Sequence, residues 1–290
     1  SHLGRPGGVR QRELSLEPIA THLGQLLNHP VTFARTCIGA EAKQAIESAG
    51  PHGITVLENL RFNEGEETNN PDFSAALAEL ADCYVNDAFG AAHRAHASTT
   101  GIVGHIANAA VGLLMARELE YLGSLLTRPE RPFVAVLGGS KVSGKLEVIN
   151  NLLPRVDALL IGGAMAYTFF RARHLPTGKS LVEEALVDTA AELEKKAAAE
   201  DVKLLLPTDH LVATAIQSDA SSTLMTVHDE GIADGIGVDI GPQTQKGFSE
   251  IIKTAETVIW NGPMGVFEID AFSNGTLAIA NAVAQSKGTT

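Results

Sequence analysis

The sequence predicts an α/β protein with two three-layer domains, in each of which helices cover both faces of a parallel β-sheet. Short apolar runs alternate with helical segments in both halves of the chain, and this alternation is typical of parallel βαβ units. One long helical segment separates the halves, and the length of 290 residues suits about two domains.

The first half contains three predicted strands with helices between them. The runs VTFA (Val31–Ala34), ITVLEN (Ile54–Asn59) and CYVNDAF (Cys83–Phe89) indicate buried strands. The predicted helices cover Glu41–Ala49 and Pro71–Ala81. Proline suits the first turn of a helix, because the amide that it lacks would have no partner there.

A single helix from Val111 to Leu126 is predicted between the halves. Four of its apolar side chains fall on one stripe at helical spacing: Met115, Leu119, Leu122 and Leu126. Prolines at 129 and 132 end it, because proline cannot donate to the helical hydrogen-bond ladder. The predicted organisation is an N-terminal domain over 1–112, a connecting helix and hinge over 113–130, and a C-terminal domain over 131–290.

The second half repeats the alternation of strands and helices. Its predicted strands are FVAVL (133–137), ALLIGG (158–163), KLLLP (203–207) and TVIWNG (257–262). Its predicted helices cover about 145–153, 165–172 and 181–200, and the segment 217–243, which is rich in Gly, Ser and Asp, is predicted to be a loop. Ligands of open parallel sheets bind at the carboxyl ends of the strands, which directs attention to the turns there.

Composition narrows the class of protein. The formal net charge of −12 argues against a nucleic-acid or anionic-membrane partner. No apolar run approaches the roughly 18 residues that span a bilayer. Cys37 and Cys83 form neither a metal-binding spacing nor a disulfide framework, so we expect reduced thiols and a cytoplasmic location.

The segment LGGSKVSGK after the strand FVAV is the first candidate site. Gly139–Lys145 matches the start of a Walker A motif, but the next residue is Leu146, where that motif requires a hydroxyl. The glycines allow an anion to approach the backbone, and Lys141 and Lys145, four residues apart, are predicted to share one helical face. A polyphosphate site and a plain glycine turn with two solvated lysines are both compatible with this pattern.

Cationic side chains follow several strands of the first half. Arg61 lies just past one strand, Arg94 follows another, and Arg5 lies in a glycine-containing turn. Because the guanidinium fork suits phosphate and carboxylate, the three could converge on a small phosphorylated acid, although each alone is compatible with a surface charge. His93 and His96 lack an obvious third ligand, so no metal site is predicted.

The segment WNGPMGVFE follows the last predicted strand. Glu268 could bind a ribose, since one carboxylate can accept two hydroxyl hydrogens, and Asn261 could contact a phosphate. A tight turn with a helix-capping acid is the alternative.

Taken in order, these segments resemble phosphoglycerate kinases. The resemblance rests on SHLGRP, LENLRF, NDAFGAAHRAHAS, LGGSKVSGK, LLIGGAMAYTF and WNGPMGVFE and extends over essentially the whole chain. It implies two Rossmann-like domains and the reversible conversion of 1,3-bisphosphoglycerate and ADP to 3-phosphoglycerate and ATP, a glycolytic reaction. Leu146 then counts against a Walker-type NTPase and not against nucleotide binding.

The resemblance also implies the roles of individual residues. Lys141 and Lys145 would be catalytic. The residues implied to bind phosphoglycerate are His2, Leu3, Gly4, Arg5, Arg61 and Arg94. Those implied to bind the nucleotide are Gly139, Ser140, Lys141, Lys145, Gly163, Gly237, Asn261 and Glu268. Mg²⁺ would accompany ADP or ATP, and the protein would act as a monomer whose domains close over the substrates.

Two family features have no counterpart between Ser1 and Thr290. One is an initial strand with an Asp/Asn turn and a further arginine. The other is a Gly-Gly-Gly-Asp turn, whose aspartate helps to hold the Mg²⁺–nucleotide complex. We therefore expect little or no kinase activity from these residues alone, and exposed sheet edges. The main alternative is a non-catalytic relative that binds nucleotides or phosphate. No feature of the sequence favours a scaffold protein.

Overall fold

The structure, a computed structural model, describes the backbone of residues 1–290 and every side chain except those of Ser124 and Leu126. The chain forms two compact units, unit 1 (Ser1–Leu122) and unit 2 (Gly123–Thr290). The predicted limits of the connecting segment, 113–130, stay a prediction. Within the described residues, we find no helix with the length and apolar character needed to cross a membrane.

Unit 1 contains four short strands that pair in parallel as two separate pairs. They are β1 (Val31–Ala34), β2 (Ile54–Leu57), β3 (Cys83–Asn86) and β4 (Asn108–Val111), paired β1–β2 and β3–β4. The helices are α1 (Glu17–Leu27), α2 (Gly39–Ala49), α3 (Glu64–Glu67), α4 (Pro71–Ala78), α5 (Phe89–Ala92) and α6 (Leu113–Thr127), the last of which continues into unit 2. Leu60, Phe73, Leu77 and Ile102 are among the buried side chains of its core.

The structure confirms the three predicted strands of unit 1 but corrects the start of the long helix. The prediction of a helix from Val111 is wrong, because Val111 ends β4, which pairs in register with β3. Gly112 separates the two elements, and a Cβ there would lie 2.2 Å from the Asp87 carboxyl carbon. Asp87 Oδ1 accepts a hydrogen bond from Met115 N at 2.8 Å, which caps the start of α6. Leu126, one of the predicted stripe residues, lies outside the described side chains.

Unit 2 is built on a four-stranded parallel sheet in the order β11-β5-β6-β7. These strands are β5 (Phe133–Leu137), β6 (Ala158–Ile161), β7 (Lys203–Leu205) and β11 (Thr257–Asn261), all four of which the sequence predicts. The helices are α7 (Leu146–Leu152), α8 (Ala166–Ala172), α9 (Val187–Ala199), α10 (Pro242–Lys253) and α11 (Asn274–Gln285).

Alternation along β5 places an apolar core on each face of this sheet. Phe133, Ala135 and Leu137 point into one core with side chains of α7, α8 and α9. Val134 and Val136 point into a second core with side chains of α10 and α11. Because every residue of β5 is buried, the strand is apolar throughout, as expected for the centre of a parallel sheet covered on both faces. Unit 2 therefore has the three layers that the sequence predicts.

A second sheet in unit 2 is antiparallel and was not predicted. It has the order β10-β8-β9, with β8 (Asp209–Ala213) between β9 (Ser222–Thr226) and β10 (Ile236–Ile240). The interpretation of 217–243 as a loop is therefore wrong. Most of β9 is exposed and β10 contains Gly237, so neither strand carries the apolar run by which the other strands are recognised.

Asp239 in β10 connects this sheet to the start of α11. Its Oδ2 accepts a hydrogen bond from Gly275 N at 2.6 Å, and its Oδ1 accepts one from Ile240 N at 2.9 Å. The side chain is buried, and desolvation raises its pKa to about 6 in spite of these two hydrogen bonds. The charged carboxylate is thus less favourable in the folded than in the unfolded chain.

This raised pKa predicts a pH dependence of stability. The folded carboxyl holds its proton up to about pH 6, whereas the unfolded one loses it near pH 4, so Asp239 favours folding at low pH and this contribution disappears as the pH rises from 4 to above 6. Between these limits, the free energy of unfolding should fall by on the order of 2–3 kcal/mol more for the unaltered chain than for Asp239→Asn. Urea unfolding at several pH values measures this difference.

Asp270→Asn, at an exposed carboxylate, is the matched control and should follow the pH profile of the unaltered chain. Equal pH slopes for Asp239→Asn and the unaltered chain would contradict the assignment of the raised pKa to Asp239.

Candidate functional site

In unit 1, the segment that carries the predicted substrate-binding residues His2 to Arg5 is held against the end of β2. Asn59 Nδ2 donates to Leu3 O at 2.8 Å, and Arg61 Nη1 donates to Gly4 O at 2.8 Å. Gly8 N donates in turn to Arg61 O at 3.2 Å. Arg61 is only 5% exposed, and the segment from Gly4 to Gly8 is therefore fastened to it at both ends.

His2 lies close enough to Arg61 and to His96 for their charges to interact. Partial burial and then the charge of Arg61 lower the pKa of His2, with a smaller contribution from His96. His96 itself is buried, with its Nδ1 3.7 Å from Glu66 Oε1. The structure thus brings His2, Gly4 and Arg61 together, as the sequence predicts.

Arg5 and Arg94 are two further cations of unit 1. Arg5 is exposed within the segment fastened to Arg61, and Arg94 is half-buried, its backbone donating to Ala91 O at 3.0 Å. Among the described residues, neither guanidinium group has a hydrogen bond or ion pair. Both remain available to an anionic ligand, but within the described part of the chain neither side chain has a hydrogen bond to Arg61.

In unit 2, three glycine turns meet at the carboxyl ends of β5, β6 and β11. Gly138 N donates to Asn261 O at 3.0 Å, and Gly139 N donates to Pro263 O at 2.9 Å. A Cβ at Gly163 would lie 2.6 Å from the Gly139 backbone nitrogen and oxygen, and its φ of +66° also favours glycine. The backbones of these turns are therefore in direct contact with one another. Side chains at these glycine positions would prevent that contact.

The lysine segment follows the first of these turns. Ser143–Lys145 form a 3-10 turn, and α7 begins only at Leu146. The prediction that Lys141 and Lys145 share one helical face is therefore wrong. Glu183 explains the difference: its carboxylate accepts hydrogen bonds from Ser143 Oγ at 2.6 Å and Ser143 N at 3.0 Å, which fixes a separate turn ahead of α7.

Both lysines are placed by polar neighbours. Lys145 Nζ donates to Asn261 Oδ1 at the end of β11, and partial burial lowers the pKa of Lys145. Desolvation acts to raise the pKa of Glu183, but its hydrogen bonds from Ser143 and the charge of Lys141 leave it below its usual value. Lys141 thus lies within electrostatic reach of Glu183 without forming an ion pair with it.

A cavity of about 440 Å³ opens beside the glycine turns of unit 2. Five of the predicted nucleotide-binding residues line it: Gly139, Ser140, Gly163, Gly237 and Glu268. Three others, Lys141, Lys145 and Asn261, are not part of its lining. The Glu268 side chain is exposed and has no hydrogen bond or ion pair among the described residues.

The cavity is also lined by residues that the sequence does not single out. They include Tyr167 and Phe170 of α8, His210 of β8, and Val238 of β10. Tyr167 could have been found, because it lies in the first turn of the helix that follows the Gly163 turn. His210 and Val238 could not, since they belong to the unpredicted antiparallel sheet. Over the described side chains, no group of three or more His, Cys, Asp and Glu residues is placed to hold a metal ion.

Known proteins with similar sequences and structures share one description. The sequence model of the family described as phosphoglycerate kinase matches residues 1–290. The phosphoglycerate kinases of Chlorobium phaeobacteroides and Chlorobaculum tepidum are 54% and 50% identical to the chain, and the match covers 99% of the chain and 72% of each relative.

Solved structures agree with these sequence matches. Phosphoglycerate kinase from Coxiella burnetii has a TM-score of 0.81 and 41% identity, with 99% of this chain and 72% of that one covered. The enzyme from Pyrococcus horikoshii has a TM-score of 0.82 and 29% identity over 94% of this chain and 70% of that one.

The two-domain α/β fold predicted from the sequence is therefore confirmed, and so is the reaction that its motifs imply. This chain belongs to the phosphoglycerate kinase family, and its function is the reversible transfer of a phosphoryl group between 1,3-bisphosphoglycerate and ADP.

Proposed function

We propose that unit 2 binds the nucleotide in its glycine-walled cavity and that unit 1 binds the phosphoglycerate around Arg61. The observation that carries this assignment is the cavity itself, whose volume suits a small ligand and whose wall beside the lysine segment is bare backbone. Bare backbone and lysines suit phosphates, whereas the aromatic and aliphatic residues of the lining suit a base.

The nucleotide would lie with its base among the apolar residues of the cavity and its phosphates towards the lysines. Its base would pack against Tyr167, Phe170 and Val238, and its ribose hydroxyls would donate to the carboxylate of Glu268. Its phosphates would approach the turn at Gly139, with Lys145 beyond it. Because Lys145 is fixed by Asn261, it presents its charge without first losing much side-chain freedom.

The phosphoglycerate would meet a cationic surface in unit 1. Arg61 is fixed by Gly4, and His2 lies beside it. Arg5 and Arg94 have no partners among the described residues and could close around the phosphate or carboxylate of the ligand. Guanidinium groups bind both anions through paired hydrogen bonds.

The chemistry requires alignment and charge stabilisation. The attacking and leaving oxygens must lie in line with the phosphorus atom, and the developing charge must be met by cations. Lys141 is proposed to act on the migrating phosphoryl group. The group released by the acyl phosphate is a carboxylate, so no strong general acid is needed. Mg²⁺ is proposed to enter with the nucleotide as its phosphate complex, which is compatible with the lack of a three-residue metal cluster among the described side chains.

The oligomeric state and the cellular location are proposed from the reaction. We propose that the protein works as a monomer in the cytoplasm, where the glycolytic substrates are found. The net charge of −12 disfavours a nucleic-acid partner.

The first prediction concerns Lys145. Lys145→Met removes the charge and keeps most of the stem, so the affinity for ADP should fall about tenfold or more, the typical effect of losing a charged hydrogen bond. The affinity for adenosine, which lacks phosphates, should stay within twofold. Titration calorimetry with both ligands measures the two effects.

The matched control is Lys203→Met, at an exposed lysine in β7, which should bind ADP like the unaltered chain. A variant of Lys145 that retained full ADP affinity, or lost adenosine affinity to the same extent, would rule out the proposed phosphate contact.

The second prediction concerns Arg94. Because its guanidinium has no partner among the described residues, Arg94→Ala should leave the free energy of unfolding within about 0.5 kcal/mol of the original. Binding of 3-phosphoglycerate should nevertheless weaken about tenfold, since a charged contact is lost. The affinity for ADP should not change, and Arg12→Ala, at an exposed arginine of the same unit, should alter neither ligand. Unchanged 3-phosphoglycerate affinity in Arg94→Ala would contradict the assignment.

A further inference from the structure

One continuous stretch of the chain, residues 263–268, lines the cavity of unit 2 with every one of its residues. This cavity segment follows the glycine turn at Gly262 and forms neither a helix nor a strand. It has no hydrogen-bond ladder of its own, so its shape depends on contacts with neighbouring elements. One such contact is the backbone hydrogen bond from Val266 N to Val238 O in β10, at 2.8 Å.

Met264 joins the cavity segment to the other glycine turns. Its carbonyl oxygen accepts a hydrogen bond from Gly163 N at 3.1 Å. Its side chain is buried against two glycines: a Cβ at Gly138 would lie 2.6 Å from the methionine methyl carbon, and one at Gly162 would meet the sulfur. The position of Met264 is therefore tied to the turns that form the bare backbone surface.

The amide of Met264 is held by a residue outside the cavity lining. Met264 N donates to Thr276 Oγ1 at 3.0 Å, and Thr276 lies in the first turn of α11. This helix is fixed by other contacts, because Gly275 N donates to Asp239 Oδ2 at 2.6 Å and Ile279 is buried in the core that α10 and α11 share. Thr276 is thus a firmly placed acceptor for a segment that lacks regular structure.

We propose that Thr276 is a positioning residue for the nucleotide, which acts through Met264 on the cavity segment. The proposal rests on the nucleotide site proposed above. Met264 is only 1% exposed, so without the hydroxyl its amide would lose its acceptor in a buried place, which is unfavourable. The cavity segment would shift to find another partner for this amide, and the surface that meets the nucleotide would shift with it. Groups that contact a ligand are placed precisely only when hydrogen bonds behind them hold them.

Two substitutions at this one position test the role of the hydroxyl. Thr276→Val keeps the shape of the side chain and removes the hydroxyl, so the ADP affinity should fall about three- to tenfold, the effect of one neutral hydrogen bond. Thr276→Ser keeps the hydroxyl, so its ADP affinity should stay within about twofold of that of the unaltered chain. Titration calorimetry of the 290-residue chain with ADP measures these affinities. Thr276→Ala provides the same comparison if Thr276→Val does not fold.

Ser286, at the opposite end of α11, provides the matched control. Its Oγ also accepts a hydrogen bond from a backbone amide, Gly288 N, at 3.2 Å. Ten residues of helix place it about 15 Å from Thr276, and it does not line the cavity. Ser286→Ala should therefore bind ADP like the unaltered chain. Urea unfolding of each variant checks that it is folded at the temperature of the titration.

Equal ADP affinities of Thr276→Val and the unaltered chain would overturn the proposal. So would a Thr276→Ser variant as weak as Thr276→Val, because the loss would then not depend on the hydroxyl. An equal loss in Ser286→Ala would also overturn it, since a general loosening of α11 would explain both. Failure of ADP to bind the unaltered chain would remove the proposed nucleotide site and the role of Thr276 with it, whereas ADP binding that is indifferent to the hydroxyl would remove only that role.

Discussion

The candidate nucleotide site depends on backbone-to-backbone contact between three glycine turns. Gly138, Gly163 and Gly262 each lie where an added Cβ would come within 3 Å of another turn's backbone. Hydrogen bonds such as Gly163 N to Met264 O, at 3.1 Å, join the turns directly. The two apolar cores that enclose the parallel sheet hold the strands in register, and this register brings the three turns together. A bare backbone surface results, and an anion can approach it closely.

The cations of the two units fall into fixed and free groups. Lys145 and Arg61 are fixed, one by the Asn261 side chain and the other by the Gly4 carbonyl. Arg5 and Arg94 have no side-chain partners among the described residues. Fixed cations define where an anion can bind, and free ones can adjust to its shape. In a chain of net charge −12, such placement concentrates positive charge where phosphorylated ligands are expected.

The sequence predicted those parts of the fold whose signal is local. The five apolar residues of β5 indicate a buried strand, and the glycines at 139 and 163 indicate turns at strand ends. The antiparallel sheet could not be predicted, because β9 is mostly exposed and β10 contains a glycine, so neither strand carries the apolar run that indicates a buried strand. His210 was missed for the same reason. Its place in the cavity lining becomes visible only once α8 and β8 are packed together.

The central claim is that the close approach of the glycine turns forms the nucleotide site. The most direct measurement is the ADP affinity of Gly163→Ala, compared with Gly247→Ala in α10, where a Cβ meets no atom within 4 Å. The added methyl group at 163 would press on the Gly139 backbone, so ADP binding should weaken more than tenfold, while Gly247→Ala should bind ADP like the unaltered chain. Equal affinity for ADP in Gly163→Ala and the unaltered chain would contradict the account.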